Sequence, residues 1–481
     1  MKNRFKIFFS LLLILFFIGF LYISQNLRNQ EGLFKEVKKA IPNNIKFFLL
    51  DTIFIHKKQE YHLEKINNLE TENTILKNLL VKRNFELSQV PLVFGEIPLK
   101  KIDKDIGFNF ENSHLFLEKF KTLYLNVCKH EHCKAGSAYI ESFDKKLFIA
   151  SANGIFGYSD LENFSDKNFS MKVIKSNITD LIKYDLFYKD SQFGIKDLLI
   201  HNNKLYISLS YELSDHCFNT SILFADLNLK KLEFEEFFVP ETCIGFEFVN
   251  FNPHHSGGRL FPYSNEKIFF SSGEYKKMIY AQDSKNVFGK IVLIDINSRK
   301  HEIISMGHRN PQGLYYDSDN NIIFSTDHGP QGGDEINFAD LNQKKIHNFG
   351  WPISSYGVHY GGDPNNILYE EAPLHKSHKE YGFNEPLKYF DEGIGISQVV
   401  VVPKKFNNLE KKQIFVASMG NDLSEGDLSL HHLILNNDFS IFEHRVIPIN
   451  ERIRDLIYVE ELNKFFLFLE STGSIGVIDN R

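Results

Sequence analysis

The chain has 481 residues, 43% of them hydrophobic and 24% charged, with a formal net charge of -6 at pH 7. That is enough apolar material for a large folded core, and there is no basic surplus of the kind that binds DNA or RNA, so nucleic-acid partners are set aside. The 20 Tyr and 47 Phe lack interleaved basic residues and read as strand and core residues, not as stacking platforms.

At the amino end, Lys2, Arg4 and Lys6 precede an unbroken apolar run of 17 residues, Ile7 to Ile23. This is just long enough to span a bilayer. The positive flank keeps the amino end in the cytoplasm and sends the rest across. The following SQNLRNQ offers no small-x-small cleavage site, so residues 1–30 are expected to be an uncleaved single-pass anchor in the inner membrane, in preference to a cleaved signal peptide.

Residues 31–118 are expected to form a helical stalk and linker. Within YHLEKINNLETENTILKNLL, the residues Ile66, Leu69, Asn73, Leu76 and Leu80 recur at spacings of three and four, which predicts a helix with a narrow apolar seam. Two readings stay open. One is a short coiled coil with Asn73 setting register, making a homodimer through the stalk. The other is a single helix lying against the domain or the membrane.

From about residue 119 the helical period gives way to a repeat: KLFIASANG at Lys146, KLYISLSYE at Lys204, KIFFSSGEY at Lys267, NIIFSTDHG at Asn321, QIFVASMGN at Gln413 and KFFLFLEST at Lys464. Each phrase starts polar, turns apolar for a strand and ends small or polar, and a further strand precedes each, so every unit opens with a hairpin. The starts lie 58, 63, 54, 92 and 51 residues apart; the long gap carries an insertion, Trp351 to Ser397, expected to lie over the mouth as a substrate wall. Six such units predict an all-β, six-bladed β-propeller over residues 119–481, placed in the periplasm beyond the membrane helix and stalk. The early strand FKTLYLN, Phe120 to Asn126, is expected to close the ring.

Residues at one phase of successive blades surround the same mouth of the axis. Gln192, His255, Asn310 and Arg454 each lie 10 to 12 residues before the second-strand phrase of their unit, and they are expected to converge. Arg309 and Arg452 flank them, and Gly329, Pro330 and Gly420 belong to the same mouth. Arginines, amides and one histidine suit an anionic, planar, hydrogen-bonding ligand with a general base beside it.

Several uncommon words then occur together: HHSGGRLFPYSNEKIFFSSGE, AQDSKNVFGKIVLIDINS, GHRNPQGLYYDSDNNIIFSTDHGPQGGDEIN and NFGWPISSYGVHYGG. From about Gln192 onward the chain resembles the pyrroloquinoline quinone (PQQ)-dependent soluble aldose sugar dehydrogenases, the glucose/sorbosone dehydrogenase family. The resemblance implies a six-bladed propeller, PQQ and calcium as cofactors, a sugar substrate and an external electron acceptor. His255 matches the family's catalytic base, and Gln192 its pocket glutamine. Arg309 and Asn310 match the pair that contacts the quinone, with Arg309 stabilising developing charge. Arg452 and Arg454 match the arginines that hold the carboxylates of PQQ. Gly329 and Pro330 match the carbonyl ligands of a calcium ion, and Glu335 with the carbonyl of Phe349 matches a second calcium position, although four more residues than usual separate them. The implied reaction takes a proton from the anomeric hydroxyl to His255 as hydride leaves that carbon, giving a lactone.

Two departures stand out. Gly420 occupies the place where the family usually offers a lysine to the cofactor, so that restoring Lys there is expected to tighten PQQ binding, and Glu274 replaces a commoner aspartate. A non-catalytic propeller that binds a glycan or protein, and a calcium-dependent lactonase, are the rival readings; the arginine-rich mouth disfavours the second. Cys217 and Cys243 are the better disulfide pair. Cys128 and Cys133 read as a disulfide or free thiols ahead of a metal cluster.

Overall fold

The computed structural model describes residues 62–76, 79, 90–110, 113–122 and 137–480. The apolar run at 7–23, Leu80, Cys128 and Cys133 lie outside the described residues; among those described, no helix is long and apolar enough to cross a membrane. The chain divides into two units, Met1–Leu80 and Val81–Arg481. In the first, residues 62–76 are helical, and the seam residues Ile66, Leu69 and Leu76 are exposed.

The second unit is built of β-sheets in a propeller-like ring. Its first group of strands runs Ala138–Phe143, Lys146–Ser151, Phe156–Asp160 and Asn168–Ser176, each antiparallel to the next. Five more groups follow the same plan from the innermost strands Ile195–His201, Gly257–Ser264, Pro311–Asp317, Ile396–Val401 and Ile453–Val459. Each innermost strand forms a hairpin with the repeat phrase after it, as the sequence predicted. The six innermost strands touch in sequence, and the sixth touches the first.

The last group has three strands from the carboxyl end and borrows a fourth, Ser113–Thr122, which pairs with Ser474–Asn480. The closing strand therefore starts earlier than the expected Phe120. Leu115 and Leu117, two apart on one face, bury against Phe465, Leu467 and Ile478 and fix the register. A longer strand, Glu96–Phe110, pairs with both Ser113–Thr122 and Asn168–Ser176 and so joins the last group to the first. The region expected as helical linker up to residue 118 thus ends in two strands, and the β structure starts at Glu96, not at 119. Its period of two rests on Ile97 and Leu99, both buried, among lysines and aspartates that hide the alternation.

Aromatic and branched side chains fill the space between neighbouring sheets; Phe406, Phe415 and Phe465, for example, meet edge to face. A disulfide joins Cys217 to Cys243. Of the insertion, Lys388–Phe390 serves as the outermost strand against Asp334–Ile336, while Trp351, Ala372 and Leu374 pack on Met278 and Ala281. Tyr360 of the insertion lines the axial cavity.

One feature of the inner strands sets up the site. Five of the six start with a bulge, an extra residue opposite the second strand: near Lys196, Gly258, Gln312, Ser397 and Arg454. A bulge re-aims a side chain and breaks the ladder locally. The residues beside the bulges then staple neighbouring groups: Asp197 accepts from the Leu260 amide, Gln398 from Leu314 and Asp455 from Ile140.

Candidate active site

At the bulged end of the inner strands lies a cavity of about 450 Å³ to which every group contributes. Gln192, His255, Arg309, Asn310, Arg452 and Arg454 all line it, so the residues that the repeat phase brought together on paper meet in space. Its volume is in the range of small-molecule sites.

His255 ends a short turn, Pro253–His255, whose preceding Asn252 caps the His254 amide. Its Nδ1 lies 2.6 Å from Oε1 of Glu274, which is wholly buried. Burial first, then the charge of Arg309, pushes the imidazole well below its usual range, while burial pushes Glu274 up to about 8. The nitrogen left for a ligand is Nε2.

Arg309 and Asn310 are positioned by Asp327, whose two oxygens accept their backbone amides at 3.1 and 2.7 Å; His308 lies 3.0 Å from the same carboxylate. The Arg309 guanidinium donates to the carbonyls of His328 and Gly329 at 2.7 and 2.6 Å and sits 5.4 Å from the Trp351 ring. Asn310 accepts from the Gly257 amide and from Gln312, which holds its side chain toward the axis.

On the far wall, Arg452 and Arg454 share Glu470, at 2.9 Å each. Burial alone would raise Glu470, but the two arginines hold it at about 2. One carboxylate for two guanidiniums leaves a net positive wall for an anion. Two more cations line the cavity, Lys196 and Lys276.

Lys196, Lys276, Tyr139 and Glu470 escaped the sequence reading, whereas Gln312 lines the cavity as the GHRNPQG stretch implied. For Lys196 a signal existed: IKDLLI at Ile195 repeats IRDLIY at Ile453, which puts Lys196 in the place of Arg454.

PQQ fits these residues, since a planar polycarboxylate needs a cationic cavity of this size. The calcium positions fit less well. Gly329 borders a cavity of about 10 Å³ with Glu335 and Phe349, whereas Pro330 borders a different groove with Asp391, Glu392 and Glu425. The Gly329 carbonyl is already taken by Arg309. Glu335 and Phe349 do share one cavity, but the Glu335 carboxylate lies 3.1 Å from His378 Nε2 and accepts from Asn337.

The Gly420 position also differs from expectation. A Cβ there would lie 1.8 Å from Oδ2 of Asp427, a buried carboxylate that accepts the Asp422 amide at 2.8 Å. Gly420→Lys is therefore expected to destabilise the protein by about 1 to 3 kcal/mol, as overpacked substitutions do, and not to tighten PQQ binding. Thermal unfolding of the variant beside a PQQ titration checks both halves.

Aldose sugar dehydrogenase YliI of Escherichia coli K12 is 27% identical over 243 residues, covering 47% of this chain and 61% of that relative, so the chain spans less than two thirds of its length. In fold, the chain is similar to the apo-form of soluble aldose sugar dehydrogenase from Escherichia coli, with a TM-score of 0.58 at 20% identity over 76% of this chain and 100% of the other. It is also similar to the PQQ-bound form of aldose sugar dehydrogenase from Streptomyces coelicolor, with a TM-score of 0.50 at 14% identity over 73% and 96%. The Glucose / Sorbosone dehydrogenase family pattern matches residues 164–475, well over half of the chain, and the protein belongs to that family.

Proposed function

We propose that this protein oxidises an aldose sugar at the anomeric carbon to its lactone, with PQQ held in the axial cavity of a six-bladed propeller. The observation that carries the reading is the meeting, in one cavity, of the His255–Glu274 pair with the positive wall of Arg309, Arg452 and Arg454. PQQ, when bound, supplies the electron-accepting quinone.

The chain's own residues divide the remaining work. Arg452 and Arg454 bind carboxylates, their forks set in direction by Glu470. Arg309 offers a charge fixed by two carbonyls, so little reorganisation is needed when negative charge develops nearby. Gln192 and Asn310 supply amide donors to the cavity. With Glu274 ionised, His255 donates Nδ1–H to it and accepts the proton of the anomeric hydroxyl at Nε2. The electrons pass on to an external acceptor. With Ile7–Ile23 as its anchor, the enzyme works in the periplasm.

The full chain, purified and mixed with PQQ, an artificial electron-accepting dye and a panel of aldoses, tests this. Dye reduction that requires both PQQ and sugar, with and without added calcium, is the expected result. Absence of dye reduction with every aldose in PQQ-loaded protein would overturn the activity.

A further inference from the structure

The family resemblance led to the expectation of a lysine where this chain has Gly420, and the cavity here holds a lysine from another unit, Lys196. Lys196 is the extra residue of the bulge between Ile195 and Asp197, as Arg454 is the extra residue of the bulge between Ile453 and Asp455. The two bulges are alike in sequence and pairing. Each is followed by an aspartate, and both aspartates hold the same guanidinium, that of Arg259. The ring therefore presents Lys196 toward the axis by the same device that presents Arg454.

The ammonium is 8% exposed at the residue level and lines the cavity. It donates to the carbonyls of Gln192 and Ser191 at 2.6 and 3.1 Å, which uses two of its three N–H groups. Burial first, then the charge of Arg454, lowers Lys196 to about 7, with Asp190 and Glu470 acting the other way at a distance; among the described residues no carboxylate pairs with it directly, and Glu470 is shared by the two arginines. A buried cation without a paired anion is costly to keep unless a ligand supplies the charge. Gly258 clears the space beside it: a Cβ there would lie 2.3 Å from Lys196 Cβ.

We propose that Lys196 is a cofactor-binding residue of this chain, its ammonium taking a carboxylate of PQQ beside Arg452 and Arg454 and supplying the cation absent at Gly420. The assignment rests on the PQQ reading above. It also places the contact on the second unit, across the axis from the fifth unit that carries Gly420.

The test is a titration of full-length protein with PQQ and, separately, with its trimethyl ester, which keeps the ring and lacks the charges. Binding is read by quenching of protein fluorescence, without turnover. Lys196→Met is expected to weaken PQQ binding about tenfold or more, the usual scale of a lost charge-assisted hydrogen bond, and to leave the ester's affinity nearly unchanged; Lys196→Arg is expected to restore most of the PQQ affinity. Equal weakening for acid and ester would show that Lys196 only shapes the Ser191–Gln192 turn, and would overturn the proposal. Unchanged PQQ affinity in Lys196→Met would overturn it alone, whereas a parent protein that binds no PQQ would overturn the proposed function together with it. Should the methionine variant fail to fold, acetic anhydride labelling of the parent protein, read by peptide mass spectrometry, decides. Lys196 labelling is expected to fall at least several-fold with PQQ bound, and labelling at an unchanged rate would overturn the contact.

Discussion

Replacing His255 with alanine is expected to slow sugar oxidation by about a hundred- to ten-thousand-fold, the usual contribution of a positioned general base, while PQQ affinity changes little. The split follows from position: His255 is held by Glu274 on the wall opposite the arginine pair and makes no part of the carboxylate clamp. Stopped-flow sugar oxidation and a PQQ titration of the same variant measure the two quantities. Comparable turnover in His255→Ala would remove the base from this residue.

The pair also sets a pH dependence. Burial holds Glu274 up at about 8, so below that value the carboxyl keeps its proton and donates it to His255 Nδ1. The imidazole's own proton then sits on Nε2, and that nitrogen cannot accept another. As pH rises through about 8, Glu274 ionises, accepts from Nδ1–H and frees the Nε2 lone pair. Oxidation rates are therefore expected to climb across this range and level off above it. A profile already flat between about pH 6 and 9 would contradict the pairing.

A second large effect is expected away from the chemistry. Arg259 is 2% exposed and binds Asp455 at 2.7 Å and Asp197 at 3.1 Å, while its other nitrogens reach the carbonyls of Gln312 and Arg454. Four units of the ring are tied at this one guanidinium, just below the cavity. Arg259→Met keeps much of the volume but leaves two buried carboxylates facing each other. Removing one partner from a buried ion cluster costs about 3 to 5 kcal/mol. Urea unfolding should show a loss of that size; a loss under about 1 kcal/mol would mean that the aspartates find other partners.

Much of the ring was legible in the sequence because its signal is periodic. The polar-apolar-small phrases mark the second strand of every unit, and one shared offset from them located Gln192, His255, Asn310 and Arg454 at a common cavity. What escaped lies where the period is masked or where side chains meet only in three dimensions. The strand Glu96–Phe110 hides Ile97 and Leu99 among lysines and aspartates, and its role in joining first and last sheets depends on pairings more than 60 residues apart. The sharing of Glu470 between two arginines, and the filling of the Gly420 space by Asp427, depend on packing that no spacing rule reports. Lys196 is a case between these: the match of IKDLLI to IRDLIY was in plain view, but its meaning needed the bulge that both share.

The most direct measurement is a single turnover without dye. Full-length protein loaded with PQQ is mixed anaerobically with excess aldose, and the absorbance of the bound cofactor is followed. The account predicts a sugar-dependent change to the reduced spectrum in the parent protein, at a rate that falls by at least about a hundred-fold in His255→Ala. A cofactor spectrum that no aldose alters in protein shown to hold PQQ would contradict it.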